Sequence, residues 1–76
     1  MTHRVSPHSF GLAVRQARMA RGLTQDELAA ASSLSRTYVS ALETGKRNPT
    51  LDTQDRVAAA FNMPLSEIIR HAEDIE

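Results

Sequence analysis

The sequence predicts an all-α fold, a compact domain of five short helices. Apolar residues recur at the three- and four-residue spacing of a helix that buries one face, and they do so in successive segments after residue 9. No segment shows the apolar–polar alternation of a strand, and no linker or internal repeat divides the sequence. Its 76 residues are enough for one core and too few for two.

The composition excludes several classes of protein. There is no cysteine, so neither a disulfide framework nor a thiolate metal site is possible. The three histidines are too scattered to predict a metal site, and the sequence lacks the motifs of nucleophilic and phosphate-binding enzymes. No apolar run approaches the roughly 20 residues that span a bilayer, and the amino-terminal residues lack the apolar segment of a signal peptide. We expect a cytoplasmic protein that needs no cofactor and is not an enzyme.

The amino-terminal part of the chain is expected to form a flexible arm over residues 1–8, followed by a folded domain over residues 9–73. The arm is short and polar and contains one proline. Helix 1 is predicted from about Phe10 to Arg21, because Gly22 then provides a favourable end. The residues of this helix expected to face the core are Phe10, Val14 and Ala17.

Residues 24–44 have the pattern of two short helices joined by a tight turn. Thr24 and Glu27 form a Thr-x-x-Glu capping box at the start of helix 2. Ser35 is a favourable N-cap for helix 3, and Gly45 follows that helix at a position that favours a left-handed residue. The residues expected to face the core are Leu28, Ala29 and Ala31 in helix 2, and Val39 and Leu42 in helix 3.

Two further helices complete the predicted domain. Helix 4 has Thr50 as its N-cap and ends at Asn62, and helix 5 is predicted over about residues 64–73 because Pro64 is favoured in a first turn. The residues expected to face the core are Leu51, Val57, Ala58 and Phe61 in helix 4, and Leu65, Ile68, Ile69 and Ala72 in helix 5. Periodicity also directs Gln54 inward, either as a hydrogen-bonded residue at the core edge or as part of a subunit interface.

The outward side of helix 3 restricts the function most. Beside the core-facing residues lies one continuous strip, with a guanidinium, hydroxyls and a methyl group but no carboxylate. We call it the recognition strip; its residues are Arg36, Thr37, Ser40, Ala41 and Thr44. The major groove of DNA accepts such groups, and the first four residues are the predicted base contacts. Arg36 can donate two parallel bonds to guanine or neutralise a phosphate. The competing interpretation of the strip is an inert solvated surface.

The charge distribution also favours a nucleic-acid partner, although the formal net charge is zero. Residues 1–47 hold seven basic and three acidic side chains, a net charge of +4, whereas residues 48–76 hold two basic and six acidic side chains, a net charge of −4. Such a protein can present its basic half to phosphate, although a chance imbalance in a short chain is the alternative. Lys46, Arg47 and Asn48 follow helix 3 in a glycine-containing loop and are predicted phosphate contacts.

From Thr24 to Pro49, the sequence TQDELAAASSLSRTYVSALETGKRNP resembles the Cro/repressor-type (XRE) helix-turn-helix family of transcription regulators. The resemblance covers about residues 10–70 and implies a lambda-repressor-like DNA-binding domain. Ser33 departs from the family pattern, which commonly has glycine in the turn. Its backbone must either enter the left-handed region, at a cost of about 1 kcal/mol, or adopt a different turn.

The resemblance also implies roles for single residues. It implies that Gln25 contacts a DNA phosphate and braces helix 3. Thr24 and Tyr38 would lie near the DNA backbone, although packing is an equal explanation for Tyr38. Arg18, near the end of helix 1, would pair with Glu43, at the end of helix 3, and the pair would then be structural.

A single recognition helix contacts only a few base pairs, so we expect a homodimer on an inverted-repeat, palindromic operator. The apolar residues that exceed the needs of so small a core, and that we therefore expect at the dimer interface, are Phe61, Met63, Leu65, Ile68 and Ile69. The segments SRTYVS and GKRNP resemble the controller proteins of restriction–modification systems, which regulate their own promoter and, as activators, would contact RNA polymerase. The alternatives are a prophage repressor, an antitoxin-type autorepressor and a protein-interaction module that has lost DNA binding.

Overall fold

Residues 5–75 of the computed structural model are described below, and they form five helices without a strand. The helices are α1 (Pro7–Ala20), α2 (Gln25–Ser32), α3 (Arg36–Glu43), α4 (Leu51–Ala60) and α5 (Leu65–Glu73). Helix α1 packs against α3 and α5, while α2 packs against α3 and α4. The predicted all-α, five-helix fold is confirmed. Within the described residues, no helix has the length and apolar character needed to cross a membrane.

Helix α1 begins three residues earlier than the sequence predicted. Ser6 is its N-cap: the Ser6 hydroxyl accepts from the Ser9 N–H at 3.0 Å, and the Ser9 hydroxyl accepts from the Ser6 N–H at 2.9 Å. Pro7 occupies the first turn, where a missing N–H costs nothing. Residues 7 and 8 of the predicted arm are therefore helical, and residues 1–4 lie outside the described part of the chain.

All five helices contribute to one buried apolar cluster. Its fully buried large side chains are Val14 of α1, Leu28 of α2, Val39 and Leu42 of α3, Val57 of α4 and Ile68 of α5. Burial of this kind contributes roughly 1.5–3 kcal/mol for each large side chain. Because α2 and α3 have eight residues each, they depend on this shared core rather than on their own helical stability.

Two predicted core positions are wrong. Leu51 is 72% exposed, because it is the first residue of α4 and its side chain lies outside the packed faces of the helices. Ala31 is also exposed, and the next residue, Ser32, is buried instead. The Ser32 hydroxyl donates to the Leu28 carbonyl at 2.7 Å, which satisfies it within the core.

The turns agree with the stereochemistry expected from the sequence. Ser33 has φ 59° and ψ 37°, so it adopts the left-handed conformation, at a cost of about 1 kcal/mol. Gly45 has φ 78° after α3, and Asn62 has φ 54° after α4. Gln54 is half-buried, and its side-chain amide donates to the Pro49 carbonyl at 3.1 Å. The first alternative for Gln54, a hydrogen-bonded residue at the core edge, therefore describes its contact within the chain.

Gly11 allows α1 and α3 to cross closely, a role that the sequence analysis did not assign to it. A Cβ atom at Gly11 would overlap the carbonyl oxygen of Leu42 and would lie 3.1 Å from the backbone of Glu43. The backbone of α1 therefore lies directly against the end of α3. This contact helps to set the angle at which the recognition strip is presented.

Replacement of Gly11 by alanine should destabilise the protein. In an open helix, the same change would stabilise by about 0.8–1 kcal/mol through helix propensity. Here the added methyl group must push α1 away from α3, and overpacking of this kind costs about 1–3 kcal/mol. Thermal unfolding followed by circular dichroism distinguishes the two cases by sign: we expect a lower Tm, and an increase would contradict the proposed close crossing.

Candidate nucleic-acid interface

Helix α3 is fixed by its buried side and leaves the opposite side free. The Ser35 hydroxyl accepts from the Tyr38 N–H at 3.0 Å and caps the helix, as predicted. Val39 and Leu42 are completely buried. The core-facing side chains thus determine which residues of α3 face outward.

The recognition strip lines an open groove of about 440 Å³. Arg36, Thr37 and Thr44 are exposed, whereas Ser40 and Ala41 are half-buried. All the strip residues border the groove, together with Gln25 of α2 and Lys46 of the following loop. The residues predicted as base contacts therefore lie together on one surface. We call this the recognition groove.

A buried ion pair holds α3 against the rest of the domain. Arg18 Nε lies 2.7 Å from Glu43 Oε2, and Arg18 Nη2 donates to Glu43 Oε1 at 3.0 Å. The Glu43 side chain is only 2% exposed and that of Arg18 is 13% exposed. The hydrogen bond to Glu43 raises the pKa of Arg18, and the opposite charge adds to this, whereas desolvation lowers it. The pairing implied by the family resemblance is present in the structure.

Two further hydrogen bonds extend this ion pair into a network. Gln25 Nε2 donates to Glu43 Oε1 at 3.1 Å, and Arg18 Nη1 donates to the Leu23 carbonyl at 2.8 Å. The network thereby joins α1, the α1–α2 connection, the first residue of α2 and the last residue of α3. Gln25 therefore braces α3 through Glu43. Each amide nitrogen of glutamine carries two hydrogens, so one donor of Gln25 is not used by this bond.

The loop after α3 presents its polar side chains beside the groove. Lys46, Arg47 and Asn48 are exposed. The Lys46 N–H donates to the Ala41 carbonyl at 2.9 Å, which ties the start of the loop to α3. The Arg47 guanidinium lies 5.9 Å from the centre of the Tyr38 ring, and Tyr38 itself packs against the core. Packing therefore accounts for Tyr38 within the chain.

Thr24 and Glu27 form the predicted capping box at the start of α2. The Thr24 hydroxyl accepts from the Glu27 N–H at 3.1 Å, and Glu27 Oε1 accepts from the Thr24 N–H at 2.8 Å. Thr24 is exposed, and its hydroxyl hydrogen is not needed for this cap. The cap fixes the position of the neighbouring Gln25, which borders the recognition groove.

A carboxylate lies beside the recognition strip, contrary to the pattern of α3 alone. Arg36 Nε is 3.8 Å from Asp26 Oδ1, and the two side chains are 65% and 73% exposed. Asp26 belongs to α2, so no spacing within α3 could have revealed it. Glu43, which the sequence places next to the strip, faces the core instead.

The acidic part of the chain lies away from the groove lining. Asp52 and Asp55 belong to α4, and Glu67 and Glu73 belong to α5. Neither helix contributes a residue to the recognition groove, whose charged side chains are Arg36 and Lys46. The groove itself therefore carries positive charge.

The chain belongs to the helix-turn-helix family of DNA-binding transcription regulators, whose model matches residues 14–68. The uncharacterized HTH-type transcriptional regulator y4dJ of Sinorhizobium fredii is 39% identical over 57 residues, which are 75% of this chain and 74% of that protein. The control protein C.BamHI of Bacillus amyloliquefaciens is 34% identical over 61 residues, which are 79% of this chain and 75% of that protein.

A solved structure agrees with this assignment. The crystal structure of the restriction–modification controller protein C.AhdI from Aeromonas hydrophila matches with a TM-score of 0.80 and 37% sequence identity, covering 82% of this chain and 94% of that chain. The predicted membership of the Cro/repressor-type (XRE) family is thus confirmed. The protein is a helix-turn-helix transcription regulator similar to restriction–modification controller proteins.

Replacement of Glu43 by alanine should lower the Tm strongly. The change leaves the Arg18 charge largely buried without its partner, and breaking a buried pair in this way costs about 3–5 kcal/mol. The matched control is Arg56→Ala, which breaks the exposed pair between Arg56 and Asp52 at 3.1 Å. That pair should contribute less than about 1 kcal/mol. Equal melting temperatures for Glu43→Ala and the wild type would contradict the structural role of the network.

Proposed function

We propose that the protein is a sequence-specific regulator that inserts α3 into the major groove of double-stranded DNA. The observation that carries this proposal is the recognition groove, in which an arginine, hydroxyls and a methyl group lie on one open surface. The buried network around Glu43 supports it further, because a helix that senses base edges must be held in a fixed orientation.

The strip residues have distinct proposed roles. Arg36, at the first position of α3, donates to guanine O6 and N7, a bidentate contact that contributes about 1–3 kcal/mol of discrimination between bases. Thr37 offers its methyl group to thymine or its hydroxyl to a base edge. Ser40 donates or accepts at a neighbouring base pair, and Ala41 allows close approach to a thymine methyl group.

A second set of residues is proposed to bind the DNA backbone. Each offers a donor near the rim of the recognition groove or at the helix ends that flank it, and phosphate contacts of this kind determine the register of the protein on the duplex. Gln25, at the positive end of α2, is favourably placed for an anion. The residues of this set are Thr24, Gln25, Tyr38, Lys46, Arg47 and Asn48.

We further propose a homodimer that binds an inverted repeat, with its recognition helices roughly 34 Å apart, one turn of DNA. The interface expected from the sequence needs correction, because Phe61 and Ile68 are 4% and 0% exposed and belong to the core of the single chain. Met63 lines a groove with Ala13, Ala17 and other residues of α1, away from the groove that contains Ile69.

A different surface of α4 and α5 suits the second copy better. Leu51 is exposed and lies one helical turn from Gln54, and Gln54 lines the same apolar groove as Ile69. Leu65 lies one turn before Ile69 on α5. These four residues, which we call the α4–α5 face, offer apolar area that a twofold-related copy would cover. A symmetric interface of this kind leaves both recognition grooves available to one duplex.

The biological role that we propose is that of a controller protein of a restriction–modification system. Such a regulator would bind operators in its own promoter, and it would contact RNA polymerase where it activates. The similarity to C.BamHI and C.AhdI supports this role. The proposed location is the cytoplasm, where the operator is accessible. Footprinting on the upstream region of its own gene tests the role, since protection confined to other promoters would contradict autoregulation.

The triple substitution Arg36→Ala, Thr37→Ala and Ser40→Ala should abolish discrimination between the selected operator and unrelated DNA. Alanine favours helix, so α3 should remain folded. The control is Lys46→Ala, which should weaken binding to all sequences alike and reduce the salt slope by about one. Fluorescence anisotropy between about 50 and 200 mM salt measures both effects. A triple variant that still prefers the same site would contradict base contact by α3.

The substitution Leu51→Glu should convert the dimer to a monomer without loss of folding. Leu51 is 72% exposed in the single chain, so the carboxylate remains solvated in the monomer but would be desolvated at the interface. Met19, which is 58% exposed on α1, provides the matched control as Met19→Glu. Sedimentation equilibrium should show a monomer only for the first variant. A wild-type chain that is monomeric at micromolar concentration would contradict the proposed dimer.

A further inference from the structure

The exposed pair between Asp26 and Arg36 has a position that neither helix capping nor stability explains. Asp26 is in the first turn of α2, and Arg36 is the first residue of α3. Their closest atoms, Oδ1 and Nε, are 3.8 Å apart at the edge of the recognition groove. Exposed pairs of this kind contribute little to folding free energy. A negative charge on a surface that binds phosphate also lowers affinity for DNA.

The geometry of the pair leaves the reading end of the arginine free. A guanidinium can bind along its side, through Nε and one terminal nitrogen, or at its end, through both terminal nitrogens. The carboxylate of Asp26 is closest to Nε, on the side. Both terminal nitrogens therefore remain available for the O6 and N7 atoms of a guanine.

The same carboxylate disfavours the competing use of Arg36. A flexible arginine at the edge of a DNA-binding surface can turn to the nearest phosphate, where it contributes affinity without specificity. A phosphate near Arg36 would also be near Asp26, and the two negative charges repel each other. A guanine edge carries no net charge, so it is not subject to this repulsion.

We infer that Asp26 is a specificity-determining positioning residue, which holds the Arg36 guanidinium in the orientation that contacts a guanine and keeps it away from phosphate. The inference rests on the proposed sequence-specific DNA binding by α3 and identifies how one of its base contacts is selected. Asp26 itself need not touch the DNA. It lowers the affinity for all sequences but raises the ratio between the correct base pair and the others.

The simplest competing explanation is that Asp26 stabilises α2 by its position near the positive end of the helix. Glu27 shares that position and carries the same charge, but its carboxylate accepts from the Thr24 N–H. The variants Asp26→Asn and Glu27→Gln therefore remove one negative charge each from the same helical turn. Only the first removes the partner of Arg36, since glutamine at position 27 can still accept the capping bond.

The experiment measures the Kd of each variant for three duplexes: the selected operator, the operator with the Arg36-contacted base pair replaced, and unrelated DNA. That base pair is the one at which Arg36→Ala loses discrimination. Asp26→Asn should reduce discrimination at that base pair roughly three- to tenfold, a part of what a bidentate contact supplies, while binding unrelated DNA more tightly. Glu27→Gln should bind unrelated DNA more tightly but retain the discrimination.

A double-mutant cycle makes the assignment specific. In the Arg36→Ala background, Asp26→Asn should have no further effect on discrimination, since the residue that it positions is absent. Unchanged discrimination in Asp26→Asn, or a loss equal to that in Glu27→Gln, would overturn the inference while the proposed function stands. A wild-type chain that selects no DNA sequence would overturn the proposed function and this inference together.

Discussion

The buried carboxylate of Glu43 is the interaction on which the function of this domain depends. It accepts from Arg18 of α1 and Gln25 of α2, and it belongs to the last turn of α3. An isolated buried charge would be costly, so the carboxylate constrains its two partners as strongly as they constrain it. The three helices that surround the recognition strip are thus held by one set of hydrogen bonds, on the opposite side of α3 from the open groove.

The short helices explain why such a constraint is needed. Helix α3 has eight residues, and a helix of this length is not stable in water on its own. Its orientation is therefore a property of the domain: Val39 and Leu42 anchor one side, and Gly11 lets α1 approach its backbone. The outward residues inherit their positions from these inward contacts. Specificity for bases and stability of the core are, for this reason, parts of one structural problem.

The surface combines attraction to DNA with features that limit it. Arg36 and Lys46 make the recognition groove positive, yet Asp26 lies beside the residue best suited to read a base. The acidic side chains of α4 and α5 belong to helices that do not line the groove. A balance of this kind suits a regulator that must distinguish a few sites from an excess of unrelated DNA, because the ratio of affinities matters more than affinity alone.

The amino-acid sequence by itself determined the helix-turn-helix, the capping residues Thr24 and Ser35 and the composition of the recognition strip. These features depend on residues within a few positions of one another, where spacing and side-chain type are sufficient. Only the tertiary structure decided that Leu51 is exposed, that Phe61 is buried and that Asp26 lies beside Arg36. Burial and contacts between helices depend on how the five helices pack, and periodicity identifies the apolar face of a helix without specifying what covers it.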